Sequence, residues 1–338
     1  MAAGGMKALV VVSAGAALAG TLAGYVLRGE ADEYFTDRQF DTADSTVGGL
    51  ANGYSFINPL LECETFKPSS RLAHVRLRGE LREYVQGALK SGAASHVSIY
   101  FRQLNDGPWI GIEEDHPYSP ASLFKVPIMI AVLREAESDP SLLSQPLHYQ
   151  AVIDAQARPM FTDAQIKVGE SYTVEELLAR MISYSDNEAA HLLARLLGSD
   201  RLARVSEETG ISRRGDNLPT AVISVRDYSA IFRLLYNATY LGREMSEKAL
   251  QLLGRTTFSY GLTAQLPDSV RVAHKFGEHG VGAEGSPEKQ LHDCGVVYAP
   301  GSPYLLCIMT QGRDLTELAR IISGISRLAY NAVTEPRR

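Results

Sequence analysis

The sequence contains only three cysteines among 338 residues, too few for a fold built on a disulfide scaffold. It also has little excess charge: the formal net charge is −6, and no stretch gathers lysine and arginine into a basic stripe. This charge balance argues against a nucleic-acid partner. No internal repeat is present, and the length allows one large domain or two ordinary ones.

Two of the cysteines, Cys294 and Cys307, lie symmetrically about a Pro300-Gly301 turn signal. A two-stranded hairpin would set them opposite each other, where a cross-strand disulfide could form in an oxidising compartment. The alternative is a pair of buried thiols that pack as small hydrophobic side chains. The sequence leaves both interpretations open and favours the thiols.

A zinc site is the other chemistry that this part of the chain suggests. Its candidate ligands are His279, His292, Asp293 and Cys294. Their spacing matches no closed zinc pattern, so we predict neither a metal nor a cofactor.

The first thirty residues differ from the rest of the chain. Residues 8–27 are apolar or small, lie between Lys7 and Arg28, and are long enough to span a bilayer. A cleaved signal peptide is the competing interpretation. We therefore predict a membrane anchor over residues 1–29, a linker and docking segment over 30–70, and a domain over 71–338. That domain would lie outside the cytoplasm, in the periplasm or at the cell surface.

The pattern after residue 71 predicts an α+β fold. A helix and two strands come first, helices fill the middle, and three strands and a helix close the chain. The sheet would then be built from both chain ends, with an all-helical region inserted. The predicted early and late elements are a helix over 77–89, strands over 96–104 and 109–113, strands over 270–275, 295–298 and 304–310, and a last helix from Asp314 through Leu328.

A Ser-x-x-Lys run at Ser122 and Lys125 opens an apolar stretch. Pro127 is tolerated only near the first turn of a helix, so the helix must begin close to residues 121–124, with Ser122 at its amino end. There the helix dipole favours developing negative charge, and Lys125 lies one turn away on the same face. In a core helix the amine would be partly desolvated and suited to act as a base. The alternative is a chance Ser/Lys pair on the surface.

Two later segments change the weight of that alternative. Ser185-Asp186-Asn187 lies at a helix start, where Ser185 and Glu188 could simply form a capping box. Lys275-Phe276-Gly277 lies at a strand end, where the glycine could simply end the strand. Each segment is weak by itself, but the three in this order are a specific combination.

In order and context these segments resemble the motifs of the penicillin-recognising serine hydrolases. The run 181–190, which contains Ser-Asp-Asn, is especially similar to the class A β-lactamase-like branch. The resemblance covers about residues 71–335. It implies a β-lactamase/transpeptidase-like fold, with an antiparallel sheet flanked by helices.

The resemblance also implies roles for the matching residues. Ser122 would attack the acyl carbon and carry the acyl group, and Lys125 would take or relay its proton. Ser185 would pass that proton toward the leaving nitrogen. Asn187 would bind the amide side chain of the substrate. Lys275 would supply positive charge for the substrate carboxylate.

The oxyanion hole implied by the resemblance consists of two backbone N–H groups. One belongs to Ser122 and the other to Glu278, which follows Gly277. Donors of this kind stabilise the transition state by about 2.7–4 kcal/mol each.

Two departures from the family pattern limit the transfer. Phe276 stands where the family usually has a threonine or serine whose hydroxyl binds the substrate carboxylate. The Glu-x-x-Leu-Asn pattern, whose glutamate activates the deacylating water, is absent from the sequence. Without that base, deacylation would be slower by about 10²–10⁴. The carboxylates that could substitute are Glu207, Glu208 and Asp216.

Three functions remain. The first is a monomeric β-lactamase of the class A type that opens a β-lactam. The second is a D-alanyl-D-alanine peptidase or penicillin-binding protein that acts on peptidoglycan stem peptides. The third is a non-hydrolytic sensor with a degenerate site that binds cell-wall fragments.

Overall fold

A computed structural model describes residues 54–59, 68–105, 109–152, 160–161, 165–211, 222–280 and 288–334. The predicted anchor and most of the predicted linker lie outside these ranges. Within them, no helix has both the length and the apolar content needed to cross a membrane. The first helix begins at Pro68, nine residues before the predicted start at residue 77.

The described helices are α1 (Pro68–Lys90), α2 (Lys125–Ser138), α3 (Val174–Ser183), α4 (Asn187–Leu197), α5 (Ser199–Glu208), α6 (Val225–Tyr236), α7 (Arg243–Leu253) and α8 (Leu315–Thr334). The strands are β1 (His96–Gln103), β2 (Trp109–Ile112), β3 (Pro146–His148), β4 (Ser171–Thr173), β5 (Val272–His279), β6 (Lys289–Val297) and β7 (Tyr304–Gly312). A 3₁₀ turn, Ala121–Phe124, leads directly into α2.

One antiparallel sheet has the strand order β2-β1-β7-β6-β5. It combines two strands from the early part of the chain with three from the late part, and the helices α2–α7 lie between them in sequence. The predicted α+β fold with a sheet from both ends and a helical insertion is confirmed. Strand β5 lies at one edge of this sheet, so its outer side is open to other parts of the molecule.

Strand β6 is much longer than the predicted 295–298, because it begins at Lys289. Its early part contains polar residues such as His292 and Asp293, which obscure the strand pattern. These residues are fully buried because β6 lies between β5 and β7 and pairs with both. A small two-stranded sheet, β3 with β4, was not predicted.

The two faces of the large sheet carry separate cores. One face packs against α1 and α8, with Leu81, Leu318 and Ile322 among the buried residues. The other face packs against the helical insertion around α2. Helix α2 is buried from Lys125 to Leu133, as its apolar sequence predicts.

The segment Tyr54–Pro59 docks on the domain, as its apolar sequence suggests. Ile57 is fully buried, and the Asn58 N–H donates to Tyr236 O at 2.8 Å. The buried Glu247 carboxylate accepts backbone N–H groups of Ser55, Phe56 and Ile57 at 2.8–3.1 Å. These bonds compensate the cost of burying the carboxylate.

Cys294 and Cys307 face each other across β6 and β7 and are joined in a disulfide. The favoured interpretation of two free buried thiols is therefore wrong, and the cross-strand disulfide is correct. The third cysteine, Cys63, lies outside the described residues. The register also places Cys294 directly opposite Lys275 on β5.

Reduction of this disulfide is expected to lower the free energy of unfolding by about 2–4 kcal/mol, because the unfolded chain regains the freedom of the closed loop. Urea unfolding with and without a thiol reductant measures the difference. A Cys294→Val/Cys307→Val double variant is the control, since reductant should leave its unfolding midpoint unchanged. Equal midpoints for the oxidised and reduced wild type would contradict the stabilising role.

Candidate active site

Ser122 lies in the 3₁₀ turn immediately before α2, and Pro127 occupies the third position of the helix. The predicted helix start is thus confirmed. Ala121 has a left-handed φ of 46°, which marks a strained approach to the serine. Ser122 is partly exposed, whereas Lys125 is buried.

The amine of Lys125 lies at the centre of the site. Its Nζ is 3.0 Å from Ser122 Oγ and 3.0 Å from Ser185 Oγ. It also contacts the backbone oxygen of Ser185 and the side-chain oxygen of Asn187, both at 2.6 Å. A neutral amine in this position could accept the proton of the Ser122 hydroxyl, since the two atoms are already within hydrogen-bond distance.

Ser185 does not form the predicted capping box with Glu188. The N-cap of α4 is Asp186, whose Oδ1 accepts the N–H groups of Glu188 and Ala189. Its other oxygen accepts the Ile166 N–H at 2.7 Å. Asp186 thereby satisfies the helix end, and Ser185 is held in a left-handed conformation with a φ of 56°. This strained backbone leaves the Ser185 hydroxyl free of the capping role and directed at the lysines.

Lys275 is fully buried on β5 and contacts the same hydroxyl. Its Nζ donates to Ser185 Oγ at 2.9 Å and to Phe276 O at 2.8 Å. Burial lowers the pKa of Lys275 well below its usual value, and the nearby Lys125 lowers it further. Asp293 and Glu278 oppose this effect. Ser122, Lys125, Ser185 and Lys275 therefore form one continuous chain of short polar contacts.

Gly277 allows β5 to approach the Ser122 turn. A Cβ atom at this position would lie 3.1 Å from Leu123 N and 3.2 Å from Ser122 N. Such contacts are tighter than ordinary packing tolerates, so only glycine fits without a shift. The backbone of Gly277-Glu278 consequently runs beside the Ser122 N–H, where the two predicted oxyanion donors would be neighbours.

The Phe276 side chain belongs to an aromatic cluster that we define by Phe161, Phe258, Tyr260 and Phe276. Phe258 stacks on Phe276 with a centroid distance of 4.2 Å, and Phe161 packs edge-on against both rings. The Phe276 ring also lies 4.2 Å from Lys275 Nζ. One face of this amine is thus covered by a ring.

The Glu278 side chain is partly buried beside the aromatic cluster. Burial raises the pKa of the Glu278 carboxyl. Backbone N–H groups of Phe161 and Met160 oppose that rise, as do the charges of Lys275 and Lys125. The carboxylate is therefore within electrostatic reach of both amines of the site.

The predicted substitutes for a water-activating glutamate do not meet the site. Glu208 accepts the Tyr240 hydroxyl at 2.6 Å, and Tyr240 in turn packs against Arg134. Arg134 follows Lys125 by nine residues, which is roughly 14 Å along the helix axis. Glu207 precedes Glu208 at the same exposed end of α5. Asp216 lies outside the described residues.

Sequence reasoning missed two supports of the Ser122 turn and of β5. The buried Tyr228 hydroxyl on α6 donates to Leu123 O at 2.9 Å, and the Thr256 hydroxyl donates to His274 O at 2.7 Å. Burial raises the pKa of Tyr228 well above its usual value, so it remains a donor. No local pattern could have found either contact, because each joins distant parts of the chain.

The residues considered for zinc serve separate purposes. His292 lies against Tyr118 and Ser119 O, and burial lowers its pKa to about 3. Asp293 binds His274 at 2.8 Å, while Cys294 is in the disulfide. Within the described ranges, no three histidine, cysteine or carboxylate residues cluster so as to hold a metal ion.

The fold and the clustered serines and lysines are those of a serine hydrolase of the β-lactamase type. Residues 80–333 match the family model described as "Beta-lactamase enzyme family", and the chain belongs to that family.

Curated proteins and solved structures are similar to the chain. β-Lactamase CTX-M-97 of Escherichia coli is 30% identical over 205 residues, which are 56% of this chain and 69% of that protein. A structure of PBP-A in an acyl-enzyme complex with penicillin G is 23% identical, with a TM-score of 0.64, and covers 76% of this chain and 96% of its own. A β-lactamase structure from Chitinophaga pinensis is 22% identical, with a TM-score of 0.65, and covers 75% and 99%. The two structures show the shared fold.

Proposed function

We propose that the protein opens the amide of a β-lactam through an acyl-serine at Ser122, in the manner of a class A β-lactamase. The observation that carries this proposal is the contact of Lys125 Nζ with Ser122 Oγ at 3.0 Å. It joins a nucleophile at a helix start to a buried amine base. Family membership supports the same chemistry, and the penicillin G adduct of PBP-A supports this class of ligand.

Acylation would proceed by proton transfers along the polar chain. The Ser122 oxygen forms a bond to the lactam carbonyl carbon while its proton passes to a neutral Lys125 amine. The carbonyl oxygen becomes an oxyanion beside the N–H groups of Ser122 and Glu278. When the C–N bond breaks, the proton reaches the lactam nitrogen through Ser185 Oγ, which is 3.0 Å from Lys125 Nζ. Lys275, at 2.9 Å, holds that hydroxyl in place.

Asn187 would orient the substrate at the mouth of the site. Its Oδ1 is engaged by Lys125 at 2.6 Å, which leaves the amide NH₂ group for a substrate carbonyl. Asn187 is also partly exposed, unlike the buried lysines.

A second candidate is a penicillin-binding protein or D-alanyl-D-alanine peptidase that acts on peptidoglycan stem peptides. The positions of Glu207 and Glu208, at the far end of α2, favour it. Without a carboxylate to activate water, a penicillin adduct would be hydrolysed slowly. A stem peptide could still be acylated by the same serine.

We also propose that the domain works outside the cytoplasm, held by an anchor over residues 1–29 and a linker over 30–70. The apolar stretch 8–27 supports the anchor. The Cys294–Cys307 disulfide supports the location, because such bonds persist in oxidising compartments.

Incubation of the purified chain with a fluorescent penicillin and a chromogenic cephalosporin tests the acyl-serine. We expect a covalent adduct by mass spectrometry that disappears in Ser122→Ala. Ser199→Ala, which removes an exposed hydroxyl bonded to Asp200, is the control and should keep the adduct. Fast cephalosporin turnover would support the β-lactamase, whereas a lasting adduct would support the second candidate. If the wild type forms no adduct with either compound and hydrolyses no D-Ala-D-Ala peptide, both proposals fail.

A further inference from the structure

Three residues of the site are partly exposed and line its opening: Ser122, Asn187 and Glu278. Lys125, Ser185 and Lys275 are buried behind them. A substrate whose carbonyl reaches Ser122 must therefore pass close to Glu278, whose own backbone N–H would bind the oxyanion. The charge of the Glu278 side chain thus acts on whatever group the substrate carries beside its reacting carbonyl.

The amine of Lys275 is poorly placed to balance an anionic group on the substrate. It is fully buried, and it donates to Ser185 Oγ and to Phe276 O. The Phe276 ring covers it from 4.2 Å away. Its charge is consequently committed to the interior of the site.

Phe276 itself makes this end of the site apolar. Adjacent residues of a strand point to opposite faces, so Phe276 and Glu278 share one face of β5, whereas Lys275 and Gly277 share the other. The ring is 1% exposed and is held by the stack with Phe258. It offers no hydrogen-bond donor to a carboxylate.

Glu278 adds a negative charge at the same place. Its carboxylate lies against the backbone N–H groups of Met160 and Phe161, next to the aromatic cluster. A substrate carboxylate there would meet a like charge and a phenyl ring. An ammonium group would meet a carboxylate and aromatic faces, both of which attract cations.

We infer that Glu278 and Phe276 make the site selective for acyl donors with a cationic group, rather than a carboxylate, beside the reacting carbonyl. This inference rests on the proposed acylation of Ser122. A neutral group is tolerated at an intermediate rate, because it loses the attraction without suffering the repulsion.

Three forms of one β-lactam test the selectivity. Benzylpenicillin carries a carboxylate on the carbon attached to its lactam nitrogen, its methyl ester is neutral there, and its diethylaminoethyl ester is cationic. The second-order rate constant for adduct formation at Ser122, followed by mass spectrometry, is expected to rise by about tenfold for each unit of positive charge. Reactivity toward hydroxide, measured without protein, corrects for intrinsic differences among the three compounds.

Glu278→Gln identifies the source of the selectivity, because it keeps the size and backbone of the side chain while removing the charge. The spread among the three compounds should shrink to a few-fold in this variant. Glu317→Gln, at an exposed ion pair with Arg320 on α8, should keep the full spread. Glu278→Ser serves as the second variant should the glutamine form fold poorly.

The outcomes separate the two levels of the argument. If benzylpenicillin reacts as fast as its cationic ester, or if Glu278→Gln keeps the spread, the selectivity is overturned while acylation of Ser122 stands. If none of the three compounds forms an adduct that Ser122→Ala abolishes, the proposed function fails, and the selectivity fails with it.

Discussion

Replacing Lys125 by methionine is expected to slow acylation of Ser122 by about 10²–10⁴-fold, the range that a positioned general base supplies. The Lys125 amine contacts both hydroxyls of the proposed proton path, at 3.0 Å each. Methionine preserves the volume of the side chain in a buried helix but cannot accept a proton. Ser122 would then have to lose its proton without a neighbouring base. The rate constant for adduct formation with a fluorescent penicillin measures the loss.

Lys248→Met is the matched control for this experiment. Lys248 is a surface residue of α7 paired with Glu175, so its loss should leave the acylation rate near that of the wild type. Circular dichroism must show that Lys125→Met is folded, since the residue lies in the core. A folded Lys125→Met protein that acylates within tenfold of the wild type would show that another group takes the Ser122 proton.

Replacing Asp293 by alanine is expected to cost about 3–5 kcal/mol of unfolding free energy, as is usual when one partner of a buried charged pair is removed. Asp293 is fully buried on β6, where one oxygen contacts His274 Nδ1 and the other accepts the Leu262 N–H, both at 2.8 Å. Alanine would leave two buried polar groups without their partner. Urea unfolding measures the change, provided that enough protein folds to be purified.

Asp293→Asn provides a graded comparison, because an amide oxygen can still accept the Leu262 N–H. It should lose clearly less stability than the alanine variant. Asp314→Ala is the surface control, since it removes an exposed N-terminal cap of α8 worth about 1 kcal/mol. Should Asp293→Ala be no less stable than Asp314→Ala, the buried contacts would not carry the stabilising role assigned to them.

Local patterns in the sequence predicted the elements around Ser122 well. Pro127 restricts the start of α2, and the all-apolar run marks it as a core helix, because both effects act within one or two turns. Strand β6 shows where such patterns fail. His292 and Asp293 read as polar surface, yet both are buried, because strands on both sides satisfy the backbone and specific partners bind the side chains.

The Ser-Asp-Asn segment shows a different kind of failure. A capping box at Ser185 was a sound local prediction, and a side chain does cap α4, but it is Asp186. Asp186 can do so because the Ile166 N–H occupies its other oxygen, a contact made twenty residues away in the chain. Ser185 thereby adopts its left-handed backbone and faces the lysines. Short-range propensity could not distinguish the two caps.

The sequence by itself determined the order of the three motifs, the position of Ser122 at a helix start and the assembly of the sheet from both chain ends. These features follow from helix and strand periodicity and from the restrictions that proline imposes. Only the tertiary structure decided how the two lysines share the Ser185 hydroxyl, that Cys294 and Cys307 are bonded, and that Glu278 lies at the opening beside an aromatic cluster. Each of these depends on residues far apart in the chain meeting at distances of a few ångströms, and on burial that changes what a charge costs.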